Sequence, residues 1–113
     1  MAKLDDCIFC KLANGDIPTD MVLENDEVAV FKDANPQAPV HVLLVPKEHY
    51  SCLNEDIPAE LLGKLLKMVP EVAEAMGVRE SGYRTIINTG ADANQTVKHL
   101  HVHVVGGRRL SDF

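Results

Sequence analysis

The stretch His99-Leu100-His101-Val102-His103-Val104-Val105 alternates imidazole and aliphatic side chains without interruption. On an extended strand, side chains at positions i, i+2 and i+4 share one face. We therefore predict a strand that presents three imidazoles on one face and turns Leu100, Val102 and Val104 into a hydrophobic core. Burying three imidazoles without partners would cost several kcal/mol. The strip therefore indicates a functional site rather than a packing motif.

Two kinds of chemistry fit this histidine strip. The first is a metal site, since neutral imidazole is a common ligand. At about 3.3 Å per residue, His99 and His103 lie roughly 13 Å apart at Cα, so one ion can bind neighbouring histidines but not all three. The second is covalent catalysis, in which one imidazole attacks an electrophile such as phosphorus while its neighbours bind the charged oxygens. That chemistry uses all three residues.

Length and composition bound the class of protein. A chain of 113 residues forms one domain, residues 1–113, and can bury about two-thirds of its surface in a single core. Hydrophobic residues make up 46% and charged residues 25%, which is ordinary for a globular protein. The net charge of −6 argues against a nucleic-acid polymer as partner, because its phosphates require a basic face. A mononucleotide remains possible, since it needs only a local pocket.

The N-terminus and the cysteines indicate the compartment. Residues 1–6 contain no apolar segment of the kind that signal peptides carry, and no run approaches 18 apolar residues, so we expect a cytoplasmic protein without a membrane span. An odd number of cysteines does not suggest a disulfide framework. Cys7-x-x-Cys10 has a spacing that can bind zinc or form a redox pair, whereas Cys52 is expected only to pack.

The remaining pattern predicts an α+β domain with an antiparallel sheet. Asp5 or Asp6 would cap a short N-terminal helix that ends at Gly15, and a longer amphipathic helix would begin near Pro58 and end at Gly77. No strand–helix–strand unit repeats, which favours antiparallel pairing. The five predicted strands are 21–24, 27–32, 40–45, 83–88 and 99–105.

The histidine stretch resembles the signature of the histidine-triad (HIT) family, and the resemblance covers nearly the whole chain. It is closest to the Hint branch, whose members are purine nucleoside phosphoramidases. It implies a HIT-like fold with a five-stranded antiparallel sheet, one long and one short helix, and a homodimer. The further matching residues occur in the family's order: Ile8-Phe9, Ile17-Pro18, Phe31-Lys32-Asp33, Pro36-Gln37-Ala38-Pro39, His41, Val45-Pro46-Lys47, Asn88, Gln95 and Gly106-Gly107-Arg108.

The resemblance implies a nucleotide hydrolase that needs no organic cofactor. His101 would attack the α-phosphorus of a nucleoside 5′-phosphoramidate or related conjugate, forming a nucleotidyl-histidine that water then hydrolyses to a nucleoside monophosphate. A main-chain carbonyl bonded to its other nitrogen would fix the tautomer. His103, His41, Gln95 and Thr96 would surround the phosphate oxygens. Family members often carry serine at the Thr96 position, and Hint proteins usually extend beyond the position of Phe113, so the leaving-group preference is left open.

The same resemblance implies a purine-nucleotide pocket. Asp33 would accept both ribose hydroxyls, and Asn88 would steady the phosphate side. Each of these residues also has an ordinary structural interpretation, since a pocket wall and a core share the same composition. The base would be enclosed by four apolar side chains: Ile8, Phe9, Leu12 and Phe31.

The family resemblance also suggests a role for the cysteine pair. Some bacterial members of the family and the related galactose-1-phosphate uridylyltransferases use such a pair with two histidines to bind structural zinc. The matching ligands here are Cys7, Cys10, His49 and His99, a set that suits a closed tetrahedral site. Three alternatives remain open from the residues. They are a nucleotide-binding or sensing protein with weak turnover, a dinucleoside polyphosphate hydrolase, and a redox or metal-dependent enzyme built on the two cysteines.

Overall fold

An antiparallel sheet of five strands organises the chain in the computed structural model, which describes residues 6–113. The elements are α1 (Ile8–Ala13), β1 (Met21–Glu24), β2 (Val28–Lys32), β3 (Val40–Pro46), α2 (Ala59–Ala75), β4 (Tyr83–Ile86), a 3₁₀ turn (Ala91–Ala93) and β5 (Val102–Gly106). The strands are ordered β1-β2-β3-β5-β4 in the sheet and each pairs antiparallel with its neighbours, so the predicted α+β architecture is confirmed.

The β1–β2 hairpin forms where the sequence predicts it. The side-chain oxygen of Asn25 accepts hydrogen bonds from the main-chain N–H groups of Glu27 and Val28, both at 2.8 Å. This is the local bonding that makes asparagine a turn residue. The hairpin thereby brings β2 to the edge of β3, where Phe31 lies opposite Leu43.

One face of the sheet carries the main core. Val102 and Val104 of β5, together with Leu100, pack with the even-numbered positions of β3 against α2. The helix contributes a stripe at the spacing of an amphipathic helix, consisting of Leu61, Leu65, Val69 and Val72. Within the described residues, no helix is long and apolar enough to cross a bilayer.

The opposite face of the sheet carries the imidazoles. His41 and Leu43 of β3 alternate with the core positions, and Leu43 is paired with His103 of β5. The short helix α1 packs on this face through Ala13, in a second small cluster that includes Phe31. The predicted segregation is confirmed: aliphatic side chains of the histidine stretch enter the core, and its imidazoles face away from α2.

Local expectations differ from the structure at α1, β4 and β5, and β4 ends at Ile86, two residues before the predicted end at position 88. The N-cap of α1 is Cys7, whose sulfur accepts from the Cys10 N–H at 3.3 Å, and not Asp6; Asp5 lies outside the described residues. The regular strand β5 begins at Val102 rather than His99. The reason is that the Leu100 N–H donates to the carbonyl of Tyr50 at 2.6 Å, so this part of the chain pairs with a loop instead of β3.

Neighbouring leucines on α2 provide a matched test of this core. Leu65 is 1% exposed and Leu66 is 53% exposed. We expect Leu65→Ala to lower the free energy of unfolding by about 2–5 kcal/mol, because it opens a cavity, and Leu66→Ala to change it by less than about 1 kcal/mol. Urea denaturation of both variants measures the difference, and equal losses would contradict this description of the helix.

Candidate active site

A cavity of about 610 Å³ opens on the histidine face of the sheet. Its volume falls in the range of roughly 300–1,000 Å³ that is typical of small-molecule sites. Apolar walls come from Phe9, Leu12, Phe31 and Leu43, and polar groups converge from several loops and strands. The polar lining consists of Thr19, Lys32, Asp33, Asn35, Gln37, His41, Asn88, Asn94, Gln95, Thr96, His101 and His103.

The cavity brings together the predicted catalytic and nucleotide-binding residues, with one exception. Ile8 is 47% exposed and lines a neighbouring cavity of about 420 Å³ instead. Successive helical residues point about 100° apart, so a helix that turns Phe9 toward the sheet turns Ile8 away from it. The structure therefore places Phe9 but not Ile8 in the lining of this cavity, and the role of Ile8 in enclosing a base stays a prediction.

His101 is held in one tautomer by the main chain. Its Nδ1 lies 2.6 Å from the carbonyl oxygen of His99. Since a carbonyl only accepts hydrogen bonds, Nδ1 carries the proton and Nε2 carries the lone pair. Burial lowers the pKa of His101, which keeps the ring neutral at pH 7. The edge-on ring of Phe9, with centroids 5.0 Å apart, packs against the imidazole. The result is an oriented, unprotonated nitrogen in a residue that lines the cavity.

His41 and His103 form a hydrogen-bonded chain whose direction is fixed at one end. The main-chain N–H of Gln37 donates to Nδ1 of His41 at 3.0 Å, so the proton of neutral His41 is on Nε2. That proton faces Nδ1 of His103 at 2.9 Å, which leaves His103 with its proton on Nε2. In the described part of the chain, this Nε2 is buried and has no hydrogen-bond partner. His103 thus offers a donor that needs an acceptor.

Burial, with the nearby His101 and His41 as smaller causes, lowers the pKa of His103 to about 4. The ring is therefore neutral at pH 7, as the hydrogen-bonded chain requires. Asp33 adds a carboxylate next to this chain. One of its oxygens accepts from the Asn35 N–H at 2.8 Å, and the other lies 3.4 Å from Nε2 of His41. Its remaining lone pairs can accept hydroxyl groups of a ligand.

Gln95 lines the cavity, but its amide is used within the protein. Both N–H groups donate to main-chain carbonyls, those of Ser51 at 2.7 Å and Val97 at 3.1 Å, and its oxygen accepts from Gly90 at 3.0 Å. Sequence reasoning predicted that Gln95 would contact phosphate. In the structure this side chain instead braces the loop that presents Thr96, an exposed residue at the cavity, so no amide N–H remains for a ligand.

A second cluster lies beside the cavity. The ligand atoms of Cys7, Cys10, His49 and His99 are all within 4.8 Å of one another. His99 donates from Nε2 to the carbonyl of Pro46 at 2.8 Å, so its Nδ1 lone pair faces both sulfurs, at 3.3 and 3.4 Å. Burial lowers the pKa of His99 to about 4 and keeps it neutral. A ligand imidazole bonded to a carbonyl through its other nitrogen is the usual arrangement at metal sites. The four predicted ligands therefore form a group that can hold a metal ion.

Asp33, His41 and His103 form an equally compact group, but its tautomers differ from those of the cysteine cluster. The His41 nitrogen that faces the other two residues carries a proton, whereas the His99 nitrogen that faces the sulfurs carries a lone pair. The ligand atoms of this group also lie within 4.8 Å of one another. However, the Gln37 N–H occupies the lone pair of His41 on Nδ1, so the nitrogen that faces the other two groups carries a proton. A protonated nitrogen does not ligate a metal. This group is suited to hydrogen bonding, whereas the cysteine cluster is suited to metal binding.

Comparison with known proteins identifies the family of the chain. A family model described as HIT domain matches residues 14–110, and the chain belongs to that family. Protein HitA of Neisseria gonorrhoeae is 48% identical over 105 residues, covering 91% of this chain and 97% of that protein. The purine nucleoside phosphoramidase of Escherichia coli is 39% identical over 109 residues, covering 94% and 91%. A histidine triad protein from Clostridium difficile, solved at high resolution, superposes with a TM-score of 0.93 at 42% identity, covering 98% of each chain.

The assigned tautomers generate a direct test by ¹⁵N NMR of the imidazoles. We expect His101 to carry its proton on Nδ1 and His103 on Nε2 near pH 7. His103 should remain neutral as the pH falls through 6.5 and take up a proton only near pH 4, because burial disfavours its charged form. The unfolded chain binds that proton at higher pH, so this group lowers stability as the pH falls from about 6.5 toward 4. A protonated His103 at pH 6.5 would contradict this assignment.

Proposed function

We propose that this protein is a nucleotide hydrolase that cleaves nucleoside 5′-phosphoramidates or related nucleotidyl conjugates through a covalent intermediate on His101. The main supporting observation is the 2.6 Å hydrogen bond from Nδ1 of His101 to the carbonyl of His99, which leaves the Nε2 lone pair available in a cavity of nucleotide size. The relationship to a purine nucleoside phosphoramidase supports the same substrate class.

The first step forms a bond between Nε2 of His101 and the α-phosphorus while the bond from phosphorus to the leaving nitrogen breaks, and the nitrogen departs as a neutral amine with a proton taken from solvent. The imidazole becomes positively charged as it gives up its lone pair, and the carbonyl of His99 stabilises that charge. Nε2 of His103 supplies the donor for a phosphate oxygen, which satisfies its unpartnered proton. Water then attacks phosphorus and loses a proton to solvent while the bond from phosphorus to Nε2 breaks, which releases the nucleoside monophosphate and restores neutral His101. Two moderate displacements replace one difficult displacement.

The same cavity contains the groups needed to hold the rest of a purine nucleotide. Phe9, Leu12 and Phe31 form an apolar wall against which a base can pack, and Phe9 and Phe31 contact each other edge-on with centroids 5.8 Å apart. Asp33 has lone pairs for the ribose hydroxyls, and Asn88 also lines the cavity. We further propose that the protein is cytoplasmic, as its sequence predicts, and that it forms a homodimer, as the family resemblance implies.

The cysteine cluster is proposed as a structural zinc site. Two sulfurs and two imidazoles complete a tetrahedral set, so no ligand position is left for substrate. The ion would join α1, through Cys7 and Cys10, to the loop of His49 and to His99 next to β5. Zinc thereby stabilises the folded state, because the unfolded chain does not hold the four ligands together.

Removing the nucleophile separates turnover from binding. We expect His101→Gln to lower hydrolysis of adenosine and guanosine phosphoramidates by at least about a thousandfold while nucleoside monophosphate affinity is mostly kept. Acid-quenched mass spectrometry should detect nucleotidyl-histidine in the wild type and not in the variant. His103→Gln is the matched control, since its amide still donates. It should form the adduct more slowly, by about a hundredfold. Unchanged hydrolysis by His101→Gln would refute the covalent mechanism.

The substrate range is measured with the wild type. Turnover of the phosphoramidates is compared with that of diadenosine polyphosphates and aminoacyl adenylates, and tight nucleotide binding without turnover of any of them would identify a sensing protein instead.

Elemental analysis tests the zinc site on protein purified without added metal. We expect about one equivalent of zinc per chain. Cys7→Ser and Cys10→Ser should lose the ion and lower Tm, because metal binding is linked to folding. Cys52→Ser provides the control, since Cys52 lies outside the cluster. Less than about a tenth of an equivalent in the wild type would count against the site.

A further inference from the structure

His99 takes part in two structures at once. Its side chain belongs to the cysteine cluster, and its carbonyl accepts the proton of His101. We propose that the cluster, when it holds its zinc ion, fixes the tautomer and orientation of His101, and that His99 is the positioning residue that connects the two. This inference rests on the proposed function of His101 and on the proposed zinc site.

The imidazole of His99 is held at both ring nitrogens. One nitrogen makes a strong hydrogen bond to the main chain, and the contact of the other depends on the cysteine cluster. Its Nε2–H donates to the carbonyl of Pro46 at 2.8 Å, and the residue is fully buried. Its Nδ1 faces the sulfurs of Cys7 and Cys10. Thiols are weak donors, so without an ion this second nitrogen is held only weakly. A metal bond at Nδ1 fixes both sides of the ring and, with them, the main chain that bears the carbonyl.

The contact to His101 is sensitive to movement of that carbonyl. At 2.6 Å the hydrogen bond is short, and among residues 6–113 it is the contact that determines which nitrogen of His101 carries the proton. If the carbonyl moves away, the proton can occupy Nε2 instead, and the lone pair that attacks phosphorus is lost. A displacement that leaves the fold intact can therefore remove the nucleophile.

Helix α1 provides a second connection between the cluster and His101. Phe9 lies between the two cysteines in sequence, and its ring packs edge-on against that of His101 at an angle of 84°. The helix has only six residues, too few to persist on its own, so its position depends on its contacts. The cluster therefore supports the imidazole both through the His99 carbonyl and through Phe9.

His103 supplies an internal reference within the same cavity. Its tautomer is determined by the Gln37 N–H and His41, neither of which belongs to the cysteine cluster. Loss of the ion should therefore affect His101 without affecting His103. A general loosening of the fold would change both residues.

The experiment compares zinc-loaded protein, protein stripped with a chelator, and stripped protein to which zinc is restored. ¹⁵N NMR of histidine-labelled samples reports each tautomer. We expect the loaded protein to show His101 with its proton on Nδ1 only, and the stripped protein to show a mixture at His101 with His103 unchanged. The kcat for an adenosine phosphoramidate should fall about tenfold or more on stripping and recover with zinc. Cys7→Ser should resemble the stripped protein, and Cys52→Ser the loaded one.

Three results would overturn the inference: an unchanged His101 tautomer after stripping, equal changes at His101 and His103, or failure of the chain to bind zinc at all. Failure of the proposed hydrolase function gives a different result. If the protein is not such a hydrolase, no sample turns over any conjugate, while the tautomer measurements still decide whether the cluster controls His101.

Discussion

A single main-chain carbonyl, that of His99, fixes the tautomer of His101 in this structure. It accepts the Nδ1 proton of His101 and so decides which nitrogen faces the cavity with a lone pair. An imidazole free to exchange tautomers would present that lone pair only part of the time. The alternation of the histidine stretch makes the contact possible, because residues two apart share one face of the extended chain.

The hydrogen bonds of the other histidines show how main-chain groups assign different roles to identical side chains. The ring of His99 meets an acceptor at Pro46, which leaves a lone pair toward the sulfurs. The ring of His41 meets a donor at Gln37, which leaves a proton toward His103. The carbonyl of Pro46 therefore leaves His99 with a lone pair that can bind a metal. The main-chain N–H of Gln37 leaves His41 with a proton for the chain of hydrogen bonds that ends in the cavity.

The sequence predicts those features that depend on side-chain periodicity. The alternation at 99–105 fixes which residues enter the core, and the spacing of Leu61, Leu65 and Val69 predicts α2. The family resemblance adds most of the cavity lining. The tautomer of His101 was expected from the resemblance, whereas those of His41 and His99 could not be predicted, because they depend on main-chain groups of Gln37 and Pro46, whose positions no side-chain pattern reveals. The same applies to Ile8, whose direction depends on how a six-residue helix is rotated on the sheet.

Gln95 shows a different limit of prediction from sequence, and its hydrogen bonds have a consequence for the neighbouring Thr96. The family resemblance implied ligand contact by Gln95, but its side-chain amide hydrogen-bonds to the main chain at Gly90, Ser51 and Val97. One side chain thus determines the shape of the loop, while the adjacent Thr96 faces the cavity without carrying that structural burden. A substitution at residue 96 therefore changes the lining of the cavity while the three hydrogen bonds that hold the neighbouring backbone stay in place, so the shape of the cavity and the shape of the loop are encoded by separate residues.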